Sequence, residues 1–282
     1  MSLSLEQIKI FADGLDHVEC VAYQPDGTIW AGGEAGQIYR VSAEGQMEEV
    51  ANTGGFILGI AFSPKKDWLA VCDLKKKCIW KLDLQSYTLQ VYANGVKGHQ
   101  FNIPNYICFD SNENLYVSES GAFREVSGCI LKFDKDGEGE VWCSGPFNFS
   151  NGMALDKKEH FLYVVCSFLP GIERIAINED GTAGKREVFV TLPETVPDGI
   201  AFDVAGNLYI SCYAPNAIYK VDQNRAVTVL IKDWEGHTLC NPTNIAFGGP
   251  DFDQLFTSNL GRWHISLIDV GVRGLKLVCH NK

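Results

Sequence analysis

The sequence predicts an all-β protein, specifically a six-bladed β-propeller with four-stranded blades. A short apolar phrase returns six times along the chain, each time centred on one small residue. These residues are Ala22, Ala61, Cys108, Ala154, Ala201 and Ala246, at intervals of 39, 47, 46, 47 and 45 residues. A period of this length, with strand-like segments and turn residues in every copy, is typical of propeller blades arranged around a central channel. Because the repeats use nearly the whole chain of 282 residues, we predict a single domain over residues 1–282.

Three strands are predicted in each repeat. The first is short and almost entirely apolar, which suits the innermost strand at the channel because that strand has neighbours on both faces. Its six copies read CVAY, GIAF, ICF, MAL, IAF and IAF. A turn rich in Pro, Asp, Asn and Gly follows, and a second strand such as LYVSE or LYISC then returns. A third strand begins at Ile38, Ile79, Ile130, Ile172, Ile218 and Ile265.

Polar residues recur at one position of the repeat, three residues before the small residue. This leading position holds Glu19, Leu58, Asn105, Asn151, Asp198 and Thr243. Taken singly, Asn151 and Asp198 also fit ordinary turns, since each precedes a glycine. Taken together, equivalent positions of different blades converge on one axis, where two buried carboxylates repel each other unless a cation lies between them. Carboxylate and amide oxygens are the ligands that hard divalent cations prefer. The sequence therefore predicts a cation site formed by Glu19, Asn105, Asn151 and Asp198.

The same geometry predicts which residues face a substrate. The second strand runs antiparallel to the first, so it ends at the channel mouth where the first strand begins. At this rim we place Gly33, Cys72, Glu119, Cys166, Cys212 and Asn259. Loops on a rigid scaffold concentrate binding residues. The predicted substrate contacts are Leu58, Ile103, Glu119, Phe123, Phe149, Tyr213 and Trp263.

Composition restricts the class of partner. With 24 basic and 35 acidic residues the net charge is −11, which offers no basic face for a nucleic-acid backbone. No apolar stretch approaches the roughly 20 residues that a membrane span requires. Ten cysteines are scattered without zinc-ligand spacing, and no secretory pattern opens the chain. We therefore expect a cytoplasmic protein that acts on a small molecule and binds neither nucleic acid nor membrane.

These motifs resemble those of the gluconolactonase family, which includes senescence marker protein 30 and luciferin-regenerating enzyme. The matching segments are Glu19 before the first inner strand, Pro-Asn105, Ser-Asn151-Gly-Met-Ala-Leu-Asp and Pro-Asp198-Gly-Ile-Ala-Phe-Asp. The resemblance covers nearly the whole chain. It implies a six-bladed propeller that holds one divalent cation through Glu19, Asn151 and Asp198, with Asn105 either binding the substrate or its attacking water or joining the cation shell. Ca²⁺ is the expected ion, with Zn²⁺, Mn²⁺ and Mg²⁺ as alternatives.

One departure from the family bears on the substrate. Members that act on sugar lactones usually carry an Arg two residues before the Asn that matches Asn105, and this chain has Ile103 there. The change removes a fork-shaped set of donors suited to a polyhydroxylated substrate. With Leu58 and the aromatic loops nearby, it predicts a pocket for a more apolar lactone or ester.

The expected reaction is hydrolysis by a cation-activated water. In this hypothesis the cation polarises a lactone or ester carbonyl, Asp198 accepts a proton from the water, and Asn105 orients the substrate or the oxyanion. Three alternatives stay open from the sequence. They are a phosphotriesterase using the same cation, a propeller like strictosidine synthase that needs no metal, and a non-catalytic Ca²⁺-binding regulatory or protein-binding propeller.

Overall fold

Twenty-six β-strands account for most of residues 3–280, which are the residues that this computed structural model describes. Blade one contains β2 (Cys20–Tyr23), β3 (Ile29–Gly32), β4 (Gln37–Val41) and β5 (Met47–Asn52). Blade two contains β6 (Ile57–Phe62), β7 (Trp68–Asp73), β8 (Cys78–Asp83) and β9 (Leu89–Ala93). A hairpin of β10 (Gly95–Val96) and β11 (His99–Gln100) leads to blade three, formed by β12 (Pro104–Phe109), β13 (Leu115–Glu119), β14 (Val126–Phe133) and β15 (Gly139–Asn148).

The remaining blades repeat the pattern. Blade four contains β16 (Ser150–Leu155), β17 (Phe161–Cys166), β18 (Gly171–Ile177) and β19 (Ala183–Thr191). Blade five contains β20 (Val196–Phe202), β21 (Leu208–Ala214), β22 (Ala217–Val221) and β23 (Val227–Lys232). Blade six contains β24 (Pro242–Gly248), β25 (Gln254–Asn259), β26 (His264–Asp269) and β1 (Ile8–Asp13). The predicted six-bladed propeller is confirmed over the described residues, which exclude positions 1, 2, 281 and 282 of the predicted domain.

Both ends of the chain close the ring in blade six. The N-terminal strand β1 pairs antiparallel with β26, from Ile8 opposite Ile268 to Asp13 opposite His264. Blade six therefore takes its three inner strands from the end of the chain and its outer strand from the beginning. Each inner strand packs against the inner strands of the two neighbouring blades, and β2 lies between β24 and β6. The helical segments in residues 3–280 are the 3₁₀ turns Leu5–Gln7 and Val278–His280, and neither is long or apolar enough to cross a membrane.

The apolar core lies between adjacent blades. Tyr163 of blade four meets Phe202 of blade five edge to face, with ring centroids 4.9 Å apart. Tyr209 of blade five meets Phe247 of blade six in the same way at 5.2 Å. Edge-to-face contacts at these distances are favourable for aromatic pairs. Because each such contact joins two blades, the core holds the ring together as one unit.

Glycines allow the inner strands to approach closely just below the leading position. A Cβ added to Gly152 would lie 2.3 Å from the carbonyl oxygen of Asp198 and 2.9 Å from the Cα of Gly199. A Cβ on Gly199 would lie 2.7 Å from the Cα of Asn244. Both clashes are with backbone atoms, which cannot rotate away as a side chain can. The glycines therefore set how closely blades four, five and six approach at the channel.

Gly152→Ala is expected to destabilise the fold by about 1–3 kcal/mol, because overpacking at a site without free space forces the backbone to shift. The measurement is the free energy of unfolding in denaturant. Gly98→Ala is the control, since no atom lies within 4 Å of its added Cβ and only the φ of +81° opposes a side chain. A Gly152→Ala protein as stable as the wild-type protein would contradict close packing at this position.

Candidate active site at the channel mouth

The structure brings the leading residues to one end of the channel. Each inner strand begins opposite the end of the second strand, as in the pairs Pro104 with Glu119 and Pro197 with Cys212. The predicted common mouth is thus present. In five blades the pairing register is interrupted at the leading residue: around Leu58, Asn105, Asn151, Asp198 and Thr243. Such bulges re-aim side chains, whereas Glu19 lies just before β2.

Two carboxyl groups from blades one and five interact within this mouth. Burial raises the pKa of Glu19, and the neighbouring charge of Asp198 raises it further. Burial also raises the pKa of Asp198, against the opposing effect of a hydrogen bond from the Asn151 side chain. Glu19 Oε2 is buried and has no hydrogen-bond partner among the described residues. A buried, unpartnered carboxylate oxygen is costly in the protein alone and is the kind of atom that a cation satisfies.

The two amide side chains are held by serines of their own blades. Asn105 Nδ2 donates to Ser120 Oγ at 3.0 Å, and Asn151 Nδ2 donates to Ser167 Oγ at 3.2 Å. These serine hydroxyls in turn donate to main-chain oxygens of the next blade, Ser120 to Ser150 at 2.6 Å and Ser167 to Pro197 at 2.8 Å. These bonds fix the orientation of both amides. No donor among the described residues hydrogen-bonds Asn105 Oδ1 or Asn151 Oδ1, so both oxygens remain available to a ligand.

The donor set fits a hard divalent cation. Two carboxylates and two amide oxygens supply the oxygen ligands that Ca²⁺ takes in proteins, with water completing the shell. No group of three or more His, Cys, Asp or Glu side chains within residues 3–280 is placed to hold a metal. A cation at this mouth would therefore need amide oxygen in addition to the two acids, with Asn151 as a ligand and Asn105 either joining the shell or facing the substrate.

Glu119 has a different role from the predicted substrate contact. Its side chain is 1% exposed. Its carboxylate accepts hydrogen bonds from the main-chain N–H groups of Asn102 at 3.0 Å, Ile103 at 2.8 Å and Gly121 at 3.1 Å. Because this buried carboxylate already accepts three main-chain hydrogen bonds, Glu119 holds the segment that carries Ile103 and presents almost no surface to a substrate.

The strand register also corrects the rim position in blade two. Leu69 pairs with Phe62 as Leu115 pairs with Phe109, so the residue equivalent to Glu119 is Asp73 and not Cys72. Asp73 is fully buried and plays the same part, accepting hydrogen bonds from the main-chain N–H groups of Phe56 and Lys76. In blades two and three, the buried acid at the end of the second strand, Asp73 or Glu119, thus holds a loop at the channel mouth through hydrogen bonds from main-chain N–H groups.

Three phenylalanines form an aromatic cluster on one side of the mouth. The ring centroids of Phe123, Phe149 and Phe168 lie 5.0 to 5.8 Å apart. The Arg124 guanidinium lies 5.4 Å from the centre of the Phe123 ring. Phe123 is 64% exposed, and Phe149 has a left-handed backbone at φ 61° two residues before Asn151. A large exposed apolar side chain beside a polar centre is typical of a binding surface.

The other predicted apolar contacts are divided between the rim and the core. Trp263 is 59% exposed and stacks obliquely against His17 at 5.7 Å, and Tyr213 is also exposed. Leu58 is buried in an apolar cluster with Phe101, against which the partly buried Ile103 packs. Ile103, two residues before Asn105, is therefore part of an apolar wall with Leu58 and Phe101.

A separate cavity of about 390 Å³ occupies the opposite part of the channel. It is lined by the small central residues of the repeat, such as Ala154 and Ala201, and by the segment Leu275–His280. Tyr106 is part of its lining, but Glu19, Asn105, Asn151 and Asp198 are not. Because the convergent acids and amides of the leading positions are not part of its lining, we do not assign the reaction to this cavity.

Sequence reasoning missed the residues that support the site. Ser120 and Ser167 fix the two amide side chains through their hydroxyl groups. A signal for these serines was present, because both stand five residues after the start of the second-strand motif, in LYVSES and LYVVCS.

Comparison with known proteins identifies a family that matches most of the chain. The sequence model of the SMP-30/Gluconolactonase/LRE-like region matches residues 19–260. Pentonolactonase XacC of Haloferax volcanii is 28% identical over 139 residues, which is 48% of this chain and 46% of that protein. This chain therefore aligns with less than half the length of that relative, and the same holds for the other curated relatives that it matches, at 39% and 38%.

Solved structures share the fold over almost the full length. A gluconolactonase from Xanthomonas campestris superposes with a TM-score of 0.80 at 17% identity, covering 93% of this chain and 89% of that one. Regucalcin from Agrobacterium tumefaciens, described as a calcium-binding protein, superposes with a TM-score of 0.80 at 15% identity, covering 97% of both chains. At these identities the likeness concerns the fold alone. The match of the family model over most of the chain shows that this protein belongs to the SMP-30/gluconolactonase/LRE-like family.

Proposed function

We propose that this protein is a divalent-cation-dependent lactonase or esterase that prefers a more apolar substrate than a sugar lactone. Membership of a family whose named members include a pentonolactonase and a gluconolactonase supports lactone hydrolysis. The single observation that carries the cation dependence is the buried, unpartnered Glu19 Oε2 beside Asp198. A hydrolase without a cation would leave that oxygen uncompensated.

Each of the site residues has a separate role in the proposed reaction. A divalent cation held by Glu19, Asn151 and Asp198 would polarise the substrate carbonyl and make a neighbouring water more acidic. Asp198 accepts a proton from the attacking water, for which its place on the inner strand beside the channel is suitable. Asn105 orients the substrate, since Ser120 occupies one of its two N–H groups and leaves the second free to donate. The exposed Phe123 and its neighbours exclude water from the apolar part of the substrate.

Asp198→Asn is expected to lower kcat/KM for a lactone by at least about a hundredfold, because a positioned general base contributes about 10²- to 10⁴-fold. The measurement is initial-rate kinetics at fixed Ca²⁺. Asp203→Asn is the matched control, since Asp203 is a buried acid at the other end of the same inner strand and holds a turn. Activity retained in the Asp198→Asn protein would remove this residue from the mechanism.

Removing the cation is expected to make stability strongly dependent on pH. Glu19 and Asp198 have raised pKa values in the folded protein. After a chelator has removed the cation, the folded protein therefore binds protons at these two carboxylates more tightly than the unfolded chain does. Its stability is then greatest below the ordinary carboxyl pKa of about 4 and falls as the pH rises through the raised values. Added Ca²⁺ should raise the melting temperature most at neutral pH.

The Asp198→Asn protein is the control for this experiment, because it has one buried charge fewer. Its chelated form should lose less stability on going from pH 5 to pH 8, and Ca²⁺ should shift its melting temperature little. Wild-type protein whose melting temperature is unchanged by chelation at every pH would contradict the cation site. Such a protein that also hydrolysed no lactone, aryl ester or phosphotriester would favour the non-catalytic protein-binding alternative.

Aromatic or aliphatic lactones are expected to exceed aldonolactones in kcat/KM by at least about tenfold, equivalent to about 1.4 kcal/mol of differential transition-state binding. A pocket lined by Ile103 and Leu58 cannot make the charge-assisted hydrogen bonds to substrate hydroxyls that an Arg would make, each worth about 1.5–3 kcal/mol of binding free energy. It gains about 0.8 kcal/mol for each methylene of an apolar substrate that it buries. The measurement compares both substrate classes side by side. Ile103→Arg should reduce the ratio of kcat/KM for apolar lactones to kcat/KM for aldonolactones, and Ile103→Leu should leave that ratio unchanged. A higher kcat/KM for gluconolactone than for the apolar lactones would overturn the proposed substrate preference.

A further inference from the structure

The segment Leu275–His280 crosses the end of the channel opposite the mouth. At one end, the Leu275 N–H donates to the carbonyl oxygen of Phe202 in blade five at 2.8 Å. At the other end, His280 Nε2 donates to the carbonyl oxygen of Tyr23 in blade one at 2.9 Å. The segment, which we call the strap, is therefore fixed on two different blades.

Side chains of the strap also pack into the core between the blades. Cys279 is 3% exposed and belongs to the apolar cluster of blades one and two that includes Trp30 and Phe62. Val278 packs against the cluster of blades two and three, and Leu275 packs against the cluster of blades four and five. Because these contacts hold it in place, the strap forms a fixed wall of the cavity of about 390 Å³ at this end of the channel, which we call the lower cavity.

The lower cavity is lined mainly by small apolar side chains that do not fill it. Its volume lies within the range of about 300–1,000 Å³ that is typical of ligand pockets. The small central residue of every blade belongs to the lining, and five of the six are only half-buried although they lie on innermost strands: Ala22, Ala61, Cys108, Ala201 and Ala246. Apolar cavities of this kind hold water poorly and accept apolar molecules instead.

Three lysines stand where the lower cavity meets the surface. Lys157 and Lys158 lie in the turn after the inner strand of blade four, and Lys276 lies on the strap. All three belong to the cavity lining and are exposed. None of them forms a hydrogen bond or an ion pair with another residue in the described range 3–280. In a protein of net charge −11, this local group of cations favours an anion at the opening.

The two acids in the cavity lining are already engaged by protein donors. Asp156 accepts a hydrogen bond from the Phe161 N–H at 2.8 Å. Glu159 accepts one from the Ser111 hydroxyl at 2.6 Å and another from the Ser111 N–H at 3.0 Å. The lysines are therefore the charged groups of the lining that remain available to a ligand.

We propose that the lower cavity binds a medium-chain carboxylate, with its alkyl chain among the central alanines and its carboxylate against Lys157, Lys158 and Lys276. The alkyl chain matches the apolar lining, and the carboxylate can accept charge-assisted hydrogen bonds from the lysines. Glu19 and Asp198 lie at the opposite end of the inner strands and are not part of this lining. The site is therefore separate from the candidate active site and does not depend on the proposed hydrolase function.

Isothermal titration calorimetry with hexanoate, octanoate and 1-octanol tests the ligand class. A chelator is present throughout, so that no cation at the mouth can bind a carboxylate. Octanoate should bind about 15-fold more tightly than hexanoate, since each of its two additional methylenes is worth about fourfold in affinity when buried. It should bind at least about tenfold more tightly than 1-octanol, which lacks the charge. Equal affinities for octanoate and 1-octanol would overturn the assignment of an anion, and no binding of octanoate would overturn the site.

Variants separate the charged part of the site from its apolar part. Lys157→Gln/Lys276→Gln should weaken octanoate binding at least about tenfold and leave 1-octanol binding unchanged. Lys9→Gln/Lys135→Gln is the matched control, because both of these lysines are exposed and neither lines the cavity. Ala201→Leu, which fills part of the cavity, should weaken the binding of both ligands. Octanoate affinity unchanged in the Lys157→Gln/Lys276→Gln protein would contradict the proposed role of the lysines.

A crystal structure with 8-bromooctanoate locates the ligand independently of activity. The anomalous signal of bromine should lie in the lower cavity, near Ala154 and Ala201. A bromine found only beside Phe123 at the mouth, or no ordered bromine in the crystal, would overturn the site. Wild-type protein that hydrolyses no lactone but binds 8-bromooctanoate in the lower cavity would contradict the proposed function and leave this inference standing.

Discussion

Six inner strands share one axis, and this constraint determines the rest of the structure. Because the strands converge, residues at one repeated position are brought together although they lie about 45 residues apart in sequence. The convergence leaves little room, which is why Gly152 and Gly199 face the backbone of the next blade. Bulges at the leading residues then turn single polar side chains toward the channel without breaking the pairing of the whole strand.

The convergence of the inner strands also brings two acidic side chains together at the channel mouth, at a cost in folding free energy. Glu19 and Asp198 are held close in a buried setting, where like charges raise the free energy of the folded protein. Folds commonly retain such destabilising groups where function needs them. The hydrogen bonds from Ser120 to Ser150 and from Ser167 to Pro197 connect neighbouring blades at this point. The same serines hold the site amides, so the site is rigid because the ring is rigid.

Much of this architecture could be predicted from the sequence, because the first three strands of each blade carry recurring sequence patterns. The leading residues were found since their position is fixed relative to an apolar strand. The outer strands, including β1 in blade six, were not located because they are half exposed and carry no common motif. Glu119 was taken for a substrate contact, since an acid at a strand end has the same appearance whether it binds a ligand or a row of main-chain N–H groups.

The arrangement also separates the two halves of the channel. The cavity of about 390 Å³ is lined by Ala154, Ala201 and the segment Leu275–His280, and its lining includes neither Glu19 nor Asp198. Those two acids lie at the starts of inner strands, and Phe123, Phe149 and Phe168 lie in the loops at the same end of the blades. The two ends of the inner strands therefore carry different sets of side chains.

The cation site can be tested directly by soaking crystals of the wild-type protein with Mn²⁺ and locating the ion by anomalous scattering. We expect one strong peak at the channel mouth, bonded to Glu19 Oε2, Asn151 Oδ1 and Asp198 at about 2.0–2.6 Å, and no such peak in Asp198→Asn crystals. A wild-type mouth without a peak, or Mn²⁺ bound only away from Glu19, would contradict the cation site.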